Sequence, residues 1–179
     1  MKTYLLLLVS ILLTSCSSID INVYEDNNPK LDLKEYFSGD LTAHGIIKDR
    51  SGQVIRYFNV EMNGTWSKEG VGILEEKFIF DDEIIEYRTW TFTPIKEGNK
   101  IRYLAKANDT VASVPVNITG NAFFMDYDLL INYRGDELQV RIEDKMYLIN
   151  QQVMINESTM IKYGLNVGYI TLTIIKQTP

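Results

Sequence analysis

From Gly39 to the C-terminus, the sequence alternates between short segments with strand character and short turn signals, and this rhythm limits the folds open to the chain. The segments are rich in β-branched and aromatic residues, and pairs such as Asn63-Gly64 and Arg134-Gly135 separate them. No long helical pattern interrupts the series, so parallel strand–helix–strand units are not predicted. The predicted strands cover about residues 41–48, 54–62, 71–80, 84–95, 100–107, 112–118, 121–133, 137–143, 147–156 and 167–176.

The segment from 121 to 133 shows most clearly what these strands bury. Its odd-numbered positions are apolar, whereas Asp126, Asp128 and Asn132 fall on the even-numbered side. The odd-numbered side consists of Phe123, Met125, Tyr127, Leu129 and Ile131. An alternation with a period of two is typical of a strand that turns one face toward a core. We therefore expect this strand to bury its odd-numbered side.

Around ten short antiparallel strands joined by tight turns predict an all-β fold, and a closed antiparallel meander barrel of about 8–10 strands fits them best. Closure removes exposed strand edges, and a barrel of this size leaves room inside for one apolar ligand. A short N-terminal helix is predicted at 31–37, where Leu31, Leu33, Tyr36 and Phe37 could share one side. A sandwich of two sheets is the competing architecture.

The N-terminus has the pattern of a bacterial lipoprotein signal peptide. Residues 1–15 combine one positive charge with an apolar run that ends at Leu13, and this run of about ten residues is too short to span a bilayer. The small residues Thr14 and Ser15 precede Cys16, the only cysteine of the chain. A peptidase that cuts there would leave Cys16 free for acylation. The alternative is an ordinary secretory leader, which would leave an unpaired thiol.

Acylation of Cys16, with palmitate among the added chains, would give two or three acyl chains, which is enough for stable attachment to a membrane. Ser17 follows the cysteine, and the absence of Asp at this place favours the outer membrane, with the protein facing the periplasm. Residues 16–30 are polar and lack apolar periodicity, so they are predicted to form a lipidated tether. Residues 31–179 are predicted to form a single barrel domain.

Acidic residues outnumber basic ones. Removal of the leader takes Lys2 from the 18 basic residues, so 17 remain against 24 acidic ones, a net charge of about −7. An acidic chain without a cluster of Lys and Arg is not expected to bind nucleic acid. It is also not attracted to anionic head groups, so its membrane contact has to come from the acyl chains.

The residue inventory excludes several kinds of catalytic site. With one Cys, assigned to the anchor, and one histidine, His44, the chain cannot form a Cys-His pair, a His-based triad or a His-rich metal site. The acidic trio Asp81-Asp82-Glu83 could bind calcium, but it lies between two predicted strands, where such residues favour a turn. The sequence therefore predicts no catalytic residue, no metal site and no cofactor, and it favours a protein that is not an enzyme.

Two charged residues are predicted to face the barrel interior. Glu76 shares its strand face with Leu74 and Phe78, and Arg88 shares one with Trp90. A charge in an apolar interior is costly unless it is paired. The two residues could therefore form a structural ion pair, or they could anchor the polar head group of a ligand.

The chain resembles the members of domain of unknown function family 3833, and the resemblance extends from Phe37 to about Ile175. It rests on an ordered series of matches: Phe37-x-Gly39, Ala43-x-Gly45, Asp49-Arg50-x-Gly52, Leu74-x-Glu76-x-Phe78, Asp81-Asp82, Arg88-x-Trp90, Gly120-Asn121-Ala122, Asp144, Met146-Tyr147, Asn156 and Lys162-x-Gly164. This resemblance implies a proteobacterial envelope lipoprotein with a lipocalin-like (calycin-like) barrel. It also favours a lipid-related ligand, and it implies no established activity.

These observations lead to three hypotheses about function. In the first, the barrel binds a hydrophobic or lipid-like ligand, with an aromatic lining and a polar end. The lining would consist of Phe78, Trp90, Phe92 and Tyr147, and the polar end of Glu76, Arg88, Asn156 and Lys162. In the second, side chains fill the barrel and the protein acts as a structural or interaction partner in the envelope. In the third and least favoured, the protein is an enzyme of envelope lipids that uses Glu76 as a base.

Overall fold

The computed structural model describes residues 19–98, 100–133 and 135–177. The leader, the lipobox and Cys16 therefore lie outside the described residues. A 3-10 helix and a short α-helix precede ten strands within the described part of the chain. The 3-10 helix is Ile21–Tyr24, α1 is Leu33–Tyr36, and the strands are β1 Gly39–Asp49, β2 Val54–Trp66, β3 Gly72–Phe80, β4 Ile85–Glu97, β5 Lys100–Ala107, β6 Val114–Thr119, β7 Ala122–Tyr133, β8 Asp136–Leu148, β9 Val153–Lys162 and β10 Leu165–Lys176.

The ten strands form a closed antiparallel barrel. Each strand pairs with its neighbours in the chain, and β10 closes the barrel by pairing with β1. The predicted all-β meander barrel is therefore confirmed, and the sandwich is excluded. Because the diameter of a barrel grows with its number of strands, ten strands enclose a wider interior than the eight that already suffice for one small ligand.

Side chains alternate between the interior and the outer face, as the period of two predicts. In β7, Phe123, Met125 and Tyr127 are buried, whereas Asp126 and Asn132 are exposed. In the other strands from β1 to β8, the buried apolar side chains also face the interior. They form one continuous core, to which β9 contributes Met154 and β10 contributes Ile174. The alternation in the sequence is thus the direct cause of the filled interior.

One end of the barrel, which we call the capped end, is covered by the segment around α1. The side chain of Asp32 accepts a hydrogen bond from the Glu35 backbone N–H at 2.8 Å and so begins the helix. Tyr36 is buried, and its hydroxyl donates to the Ile174 carbonyl at 3.0 Å. Phe37 stacks on Phe92 inside the barrel, with 6.4 Å between the ring centroids. The short helix predicted at 31–37 is therefore present and closes the capped end.

The opposite end, which we call the uncapped end, carries the turns that follow β1, β3, β5, β7 and β9. Neither of the two described helices packs over it, since the 3-10 helix contacts β6 and β7, and α1 lies at the capped end. Inward-facing apolar side chains near this end are only half-buried. They are Ile47, Phe78, Ile131, Leu138, Met160 and Ile170. We refer to these six side chains as the apolar ring.

Part of the segment predicted as a tether lies against the barrel. Tyr24 packs against the outward-facing Phe124, with 5.8 Å between the ring centroids, and the Leu31 backbone N–H donates to the Gly120 carbonyl at 2.8 Å. A Cβ at Gly120 would lie 1.7 Å from the Tyr24 carbonyl oxygen, so this close approach requires glycine. The later part of the segment predicted as a tether therefore packs on the barrel, and the tether itself stays a prediction.

Strand boundaries differ most from the sequence prediction at two places. The predicted turn Asn63-Gly64 is wrong, because both residues lie inside β2, where they pair with β1 and β3 and the strand continues to Trp66.

The second difference is at a hairpin. The predicted segments 137–143 and 147–156 are replaced by a longer β8 that ends at Leu148 and a β9 that begins at Val153. The side chain of Asn150 accepts hydrogen bonds from the Gln152 and Val153 backbone N–H groups, each at 2.9 Å, and makes the turn between them. This turn contains no glycine or proline, so its sequence signal is weak.

The described helices are too short and too polar for any of them to cross a lipid bilayer.

Candidate functional site

Seven polar side chains form a band across the interior of the barrel, between the capped end and the apolar ring. They are Glu76 of β3, Arg88 of β4, Asp109 of the turn after β5, Tyr127 of β7, Asp144 of β8, and Asn156 and Ser158 of β9. We call this set the polar belt. The position of the belt along the barrel axis follows from the order of residues in each strand. In β3, for example, Glu76 lies between Leu74, which is buried toward the capped end, and Phe78 of the apolar ring.

One half of the polar belt is centred on Asp144. This carboxylate is 5% exposed and accepts hydrogen bonds from Asn156 Nδ2 at 2.9 Å and from the Tyr127 hydroxyl at 3.0 Å. Ser158, which lies opposite Asp144 in the register of β8 and β9, donates its hydroxyl to the same carboxylate. Three donors therefore satisfy the charge of Asp144 inside the barrel.

The other half of the polar belt surrounds Arg88. Glu76 lies directly opposite Arg88 in the register of β3 and β4. The Arg88 Nε, however, donates to Asp109 Oδ2 at 2.8 Å, and the guanidinium lies over the Phe78 ring at 5.3 Å from its centroid. The side chains of Arg88 and Asp109 are 20% and 26% exposed, so this half of the belt reaches toward solvent. The ion pair of Arg88 is thus formed with Asp109, and Glu76 is its neighbour.

Two oxygen atoms of this half have no hydrogen-bond partner. Glu76 Oε2 and Asp109 Oδ1 are both out of contact with solvent, and no described group donates to either of them. A buried acceptor without a donor carries the full cost of losing its hydration. The polar belt therefore has unused acceptor capacity beside Arg88.

Burial shifts the acid–base properties of the belt. It raises the pKa of Glu76 from 4.5 to about 7. The charge of Arg88 and a hydrogen bond from Trp90 to the Glu76 carboxyl oppose this rise in pKa, while Asp144 and Asp109 add to it. Burial also raises the pKa of Asp144, against the hydrogen bonds from Asn156, Ser158 and Tyr127. For Arg88, burial lowers the pKa, but the attraction of Tyr127, Glu76 and Asp109 outweighs it and the pKa rises. Arg88 is therefore charged, and Glu76 is close to half-protonated at neutral pH.

Six of the eight residues predicted to bind a ligand face the barrel interior or its rim. Glu76, Arg88 and Asn156 belong to the polar belt. Trp90 and Phe92 lie on its capped side, buried in the core, and Trp90 meets the Tyr127 ring edge-to-face at 5.1 Å. Phe78 belongs to the apolar ring on the other side of the belt. These six side chains span the interior from the core to the ring.

The remaining two predicted ligand-binding residues lie elsewhere. Tyr147 is on the outer face, where it packs against Tyr24 and Phe124 with centroid distances of 5.4 and 5.9 Å, so it does not line the interior. Lys162 ends β9 at the uncapped end, where its Nζ donates to the Gln139 carbonyl and lies 4.8 Å from the centroid of the Tyr163 ring. Cys16, the predicted acylation site, lies outside the described residues.

Sequence reasoning missed four members of the polar belt: Asp109, Tyr127, Asp144 and Ser158. Asp144 continues the even-numbered inward series of Val140 and Ile142, so the alternation itself could have identified it. Ser158 follows Asn156 in the same way. Tyr127 lies on the apolar side of the alternation because of its ring, and the alternation gives no sign that its hydroxyl binds a carboxylate. Asp109 lies in a turn, where no alternation indicates which way a side chain points.

A groove of about 500 Å³ crosses the outer face of β10, β1, β2 and β3. Its border includes the exposed His44, whose Nδ1 lies 2.7 Å from Asn59 Oδ1, and the exposed Tyr57. Its ionisable side chains, His44, Tyr57 and Asp81, are exposed and obtain compensation for charge from water, whereas the charges of the polar belt are buried and need partners.

The fold is shared with a solved structure. The S-type phycobiliprotein lyase CPES from Guillardia theta superposes with a TM-score of 0.51, over 90% of this chain and 99% of the lyase chain, at 9% sequence identity. At this identity the likeness shows a common lipocalin-like barrel and nothing about activity. No curated protein matches the sequence.

The family is shown by the sequence itself. A family model described as "protein of unknown function (DUF3833)" matches residues 10–176, nearly the whole chain and all ten strands of the barrel. The match includes Glu76, Arg88, Asp144 and Asn156 of the polar belt. The chain therefore belongs to the DUF3833 family.

Proposed function

We propose that the protein is a lipoprotein of the bacterial outer membrane whose barrel binds a hydrophobic, lipid-like molecule. The observation that carries the proposal is the position of the apolar ring. Six apolar side chains face the interior at the uncapped end but remain half-buried, and the polar belt lies directly beneath them. An apolar wall above a few polar groups is the usual composition of a small-molecule site.

The size and closure of the barrel support the same proposal. A closed barrel of ten strands has the width to hold a ligand, and the segment around α1 already fills the capped end. A ligand would therefore enter at the uncapped end, with its apolar part against the ring and its polar end at the belt. The shared fold with a phycobiliprotein lyase is compatible with a small hydrophobic ligand in this position.

Native mass spectrometry tests ligand binding. The mature chain with Cys16→Ser, sent to the periplasm of a Gram-negative host by an ordinary secretory leader, carries no acyl anchor. We expect a fraction of the purified protein to retain a noncovalent lipid-like adduct, and a fluorescent apolar probe to bind and be displaced by that lipid. A ligand-free mass together with no binding of the probe would favour the alternative of a barrel filled by its own side chains.

Membrane attachment is supported by the sequence from Leu13 to Cys16 and is tested separately. Cys16→Ala in the full chain should abolish palmitate labelling and release the protein from the membrane fraction. Ser17→Asp serves as the matched control, because it should leave labelling intact and move the protein to the inner membrane. Labelling that persists in Cys16→Ala would contradict the assignment of the lipobox.

A further inference from the structure

The composition of the polar belt bears on the kind of head group that a ligand can carry, and the inference drawn from it rests on the proposed binding function. The belt contains three carboxyl groups, Glu76, Asp109 and Asp144, and one guanidinium, Arg88. Its other members, Tyr127, Asn156 and Ser158, are neutral hydrogen-bonding groups. The interior surface beneath the apolar ring is therefore dominated by acceptors.

Four donors of the belt are engaged with its carboxyl groups. Tyr127, Asn156 and Ser158 all donate to Asp144. Arg88 Nε donates to Asp109, and its guanidinium is flanked by Glu76 in the strand register. An anionic head group placed beside Arg88 would also lie near Asp109, which is bonded to Arg88 Nε, and near Glu76, which is opposite Arg88 in the register. Like charges at this distance disfavour one another.

Acceptors, by contrast, are free. Glu76 Oε2 and Asp109 Oδ1 are buried without any donor in the described part of the chain, and both belong to the half of the belt that surrounds Arg88. Asp109 is 26% exposed as a side chain, so the space beside it communicates with solvent. A group that donates hydrogen bonds would supply the partner that these oxygens lack.

We infer that the ligand is a hydrophobic molecule whose polar end donates hydrogen bonds, with a protonated amine fitting best and an alcohol next, and that Glu76 and Asp109 accept from it. An ammonium group has three donors and no acceptor, so it matches two unpaired carboxylate oxygens. It also compensates the excess of carboxylates over cations in the belt. A carboxylate head group offers neither property.

The acid–base behaviour of Glu76 supports this preference. The charged or titratable groups that face it are Arg88 of β4, Asp109 of the turn after β5, Asp144 of β8 and the neutral Tyr127 of β7. Its pKa of about 7 means that the carboxyl ionises close to neutral pH. A bound cation favours the ionised form, so the affinity for an amine should rise as the pH increases from 5.5 to 8.

The test is competition among ligands that differ only in their polar end. Dodecylamine, dodecanol and dodecanoate displace the neutral probe N-phenyl-1-naphthylamine from the mature chain carrying Cys16→Ser, each below its micelle-forming concentration. We expect the amine to compete at least about tenfold more strongly than the carboxylate, with the alcohol between them. Equal competition, or stronger competition by dodecanoate, would overturn the inference and leave the proposed function intact.

Two variants at neighbouring positions test whether Glu76 causes the preference for an amine. Glu76→Gln removes the charge inside the barrel, whereas Glu75→Gln removes one charge from the exposed outer face of the same strand. The advantage of the amine should shrink in Glu76→Gln and remain in Glu75→Gln. An unchanged advantage in Glu76→Gln, or the same loss in both variants, would show that Glu76 does not accept from the ligand. Asp109→Asn provides a second variant if Glu76→Gln does not fold, with the same expected loss and the same contrary outcome.

Failure of the proposed function would look different. If the probe does not bind the wild-type chain and no ligand is retained in native mass spectra, the barrel is not a binding site for these molecules. That outcome overturns both the proposed function and the inference. Binding of the probe without any preference among the three polar ends overturns the inference alone.

Discussion

The buried carboxyl of Glu76 destabilises the fold, and in the proposed function the same carboxyl contributes to ligand binding. It lies on the inward face of β3 because the strand alternates, and burial raises its pKa to about 7. Arg88 opposes this rise but is committed to Asp109, and Glu76 Oε2 has no donor. Groups with strongly shifted pKa values occur often at functional sites, although structural charge networks produce them too.

The raised pKa of Glu76 predicts a specific dependence of stability on pH. Below about pH 4.5 the carboxyl is protonated in both the folded and the unfolded chain and carries no penalty. Between pH 4.5 and 7 the unfolded chain loses this proton and the folded chain keeps it, so the free energy of unfolding falls as the pH rises. The loss should reach about 3 kcal/mol and level off above pH 7, since one pKa unit corresponds to about 1.4 kcal/mol.

Urea unfolding of the wild type and of Glu76→Gln over this pH range isolates the contribution of Glu76. The free energy of unfolding of the wild type minus that of Glu76→Gln should fall between pH 4.5 and 7 and then stay constant. Glu75→Gln should give a nearly flat difference, because Glu75 is exposed. A flat difference for Glu76→Gln as well would mean that the carboxyl is not buried as described.

Single residues also show where sequence reasoning succeeds and where it stops. The inward position of Glu76, Arg88 and Asn156 follows from parity along a strand, and the structure places all three in the belt. The same alternation places Tyr147 outward, next to the inward-facing Met146. The prediction that Tyr147 lines the interior relied on its aromatic side chain and not on this alternation. The sequence does not show that Tyr24 would cover this part of the outer face, which is why an aromatic residue is accommodated there.

Among the secondary-structure elements, the segment around α1 contributes more to the fold than its length suggests. Four helical residues cannot be stable alone, so α1 depends on its N-cap and on the burial of its side chains. The close approach of this segment to β2 is fixed at Gly64, where a Cβ would lie 1.7 Å from the Phe37 carbonyl oxygen. Trp66 Nε1 donates to the same oxygen at 3.2 Å.

Substitution of Gly64 tests the attachment of the cap. Gly64→Ala should lower the free energy of unfolding by about 2 kcal/mol, because the added methyl group displaces the Phe37 backbone. Amide hydrogen exchange should accelerate at Phe37, whose N–H donates to the Leu33 carbonyl in the cap. Thr65→Ala, on the exposed side of the same strand, is the control and should change both quantities little. Unchanged exchange in Gly64→Ala would show that the cap is not held at this point.

Strand ends were predicted well where a true turn residue follows the strand, and poorly where the turn signal is weak or where a pair such as Asn63-Gly64 lies inside a strand. The turn Tyr163-Gly164, which the sequence predicts, joins β9 and β10, and Gly164 has a φ of 75°. The hairpin between Leu148 and Val153 has no such residue, and its turn depends on the side chain of Asn150. Its sequence signal is therefore a single Asn without glycine or proline, which indicates the position of a turn only weakly.

At the scale of the whole molecule, the closed barrel gives the chain two different ends. The capped end is filled by α1 and by stacked aromatic side chains, and the uncapped end keeps its apolar ring half-buried. The number of strands and their antiparallel order were predictable from the sequence. The asymmetry of the two ends and the meeting of β3, β4, β7, β8 and β9 in one polar belt depend on the register of closure, which no local pattern encodes.

The central claim is that a hydrophobic ligand binds inside the barrel from the uncapped end, and methionine methyl NMR tests it most directly. Met160 belongs to the apolar ring, Met125 is buried next to the belt, and Met154 is fully buried toward the capped end. Titration with dodecanol should shift the Met160 methyl signal most, Met125 less and Met154 least. A shift confined to Met154, or no shift in any of the three while the ligand is bound, would contradict the claim.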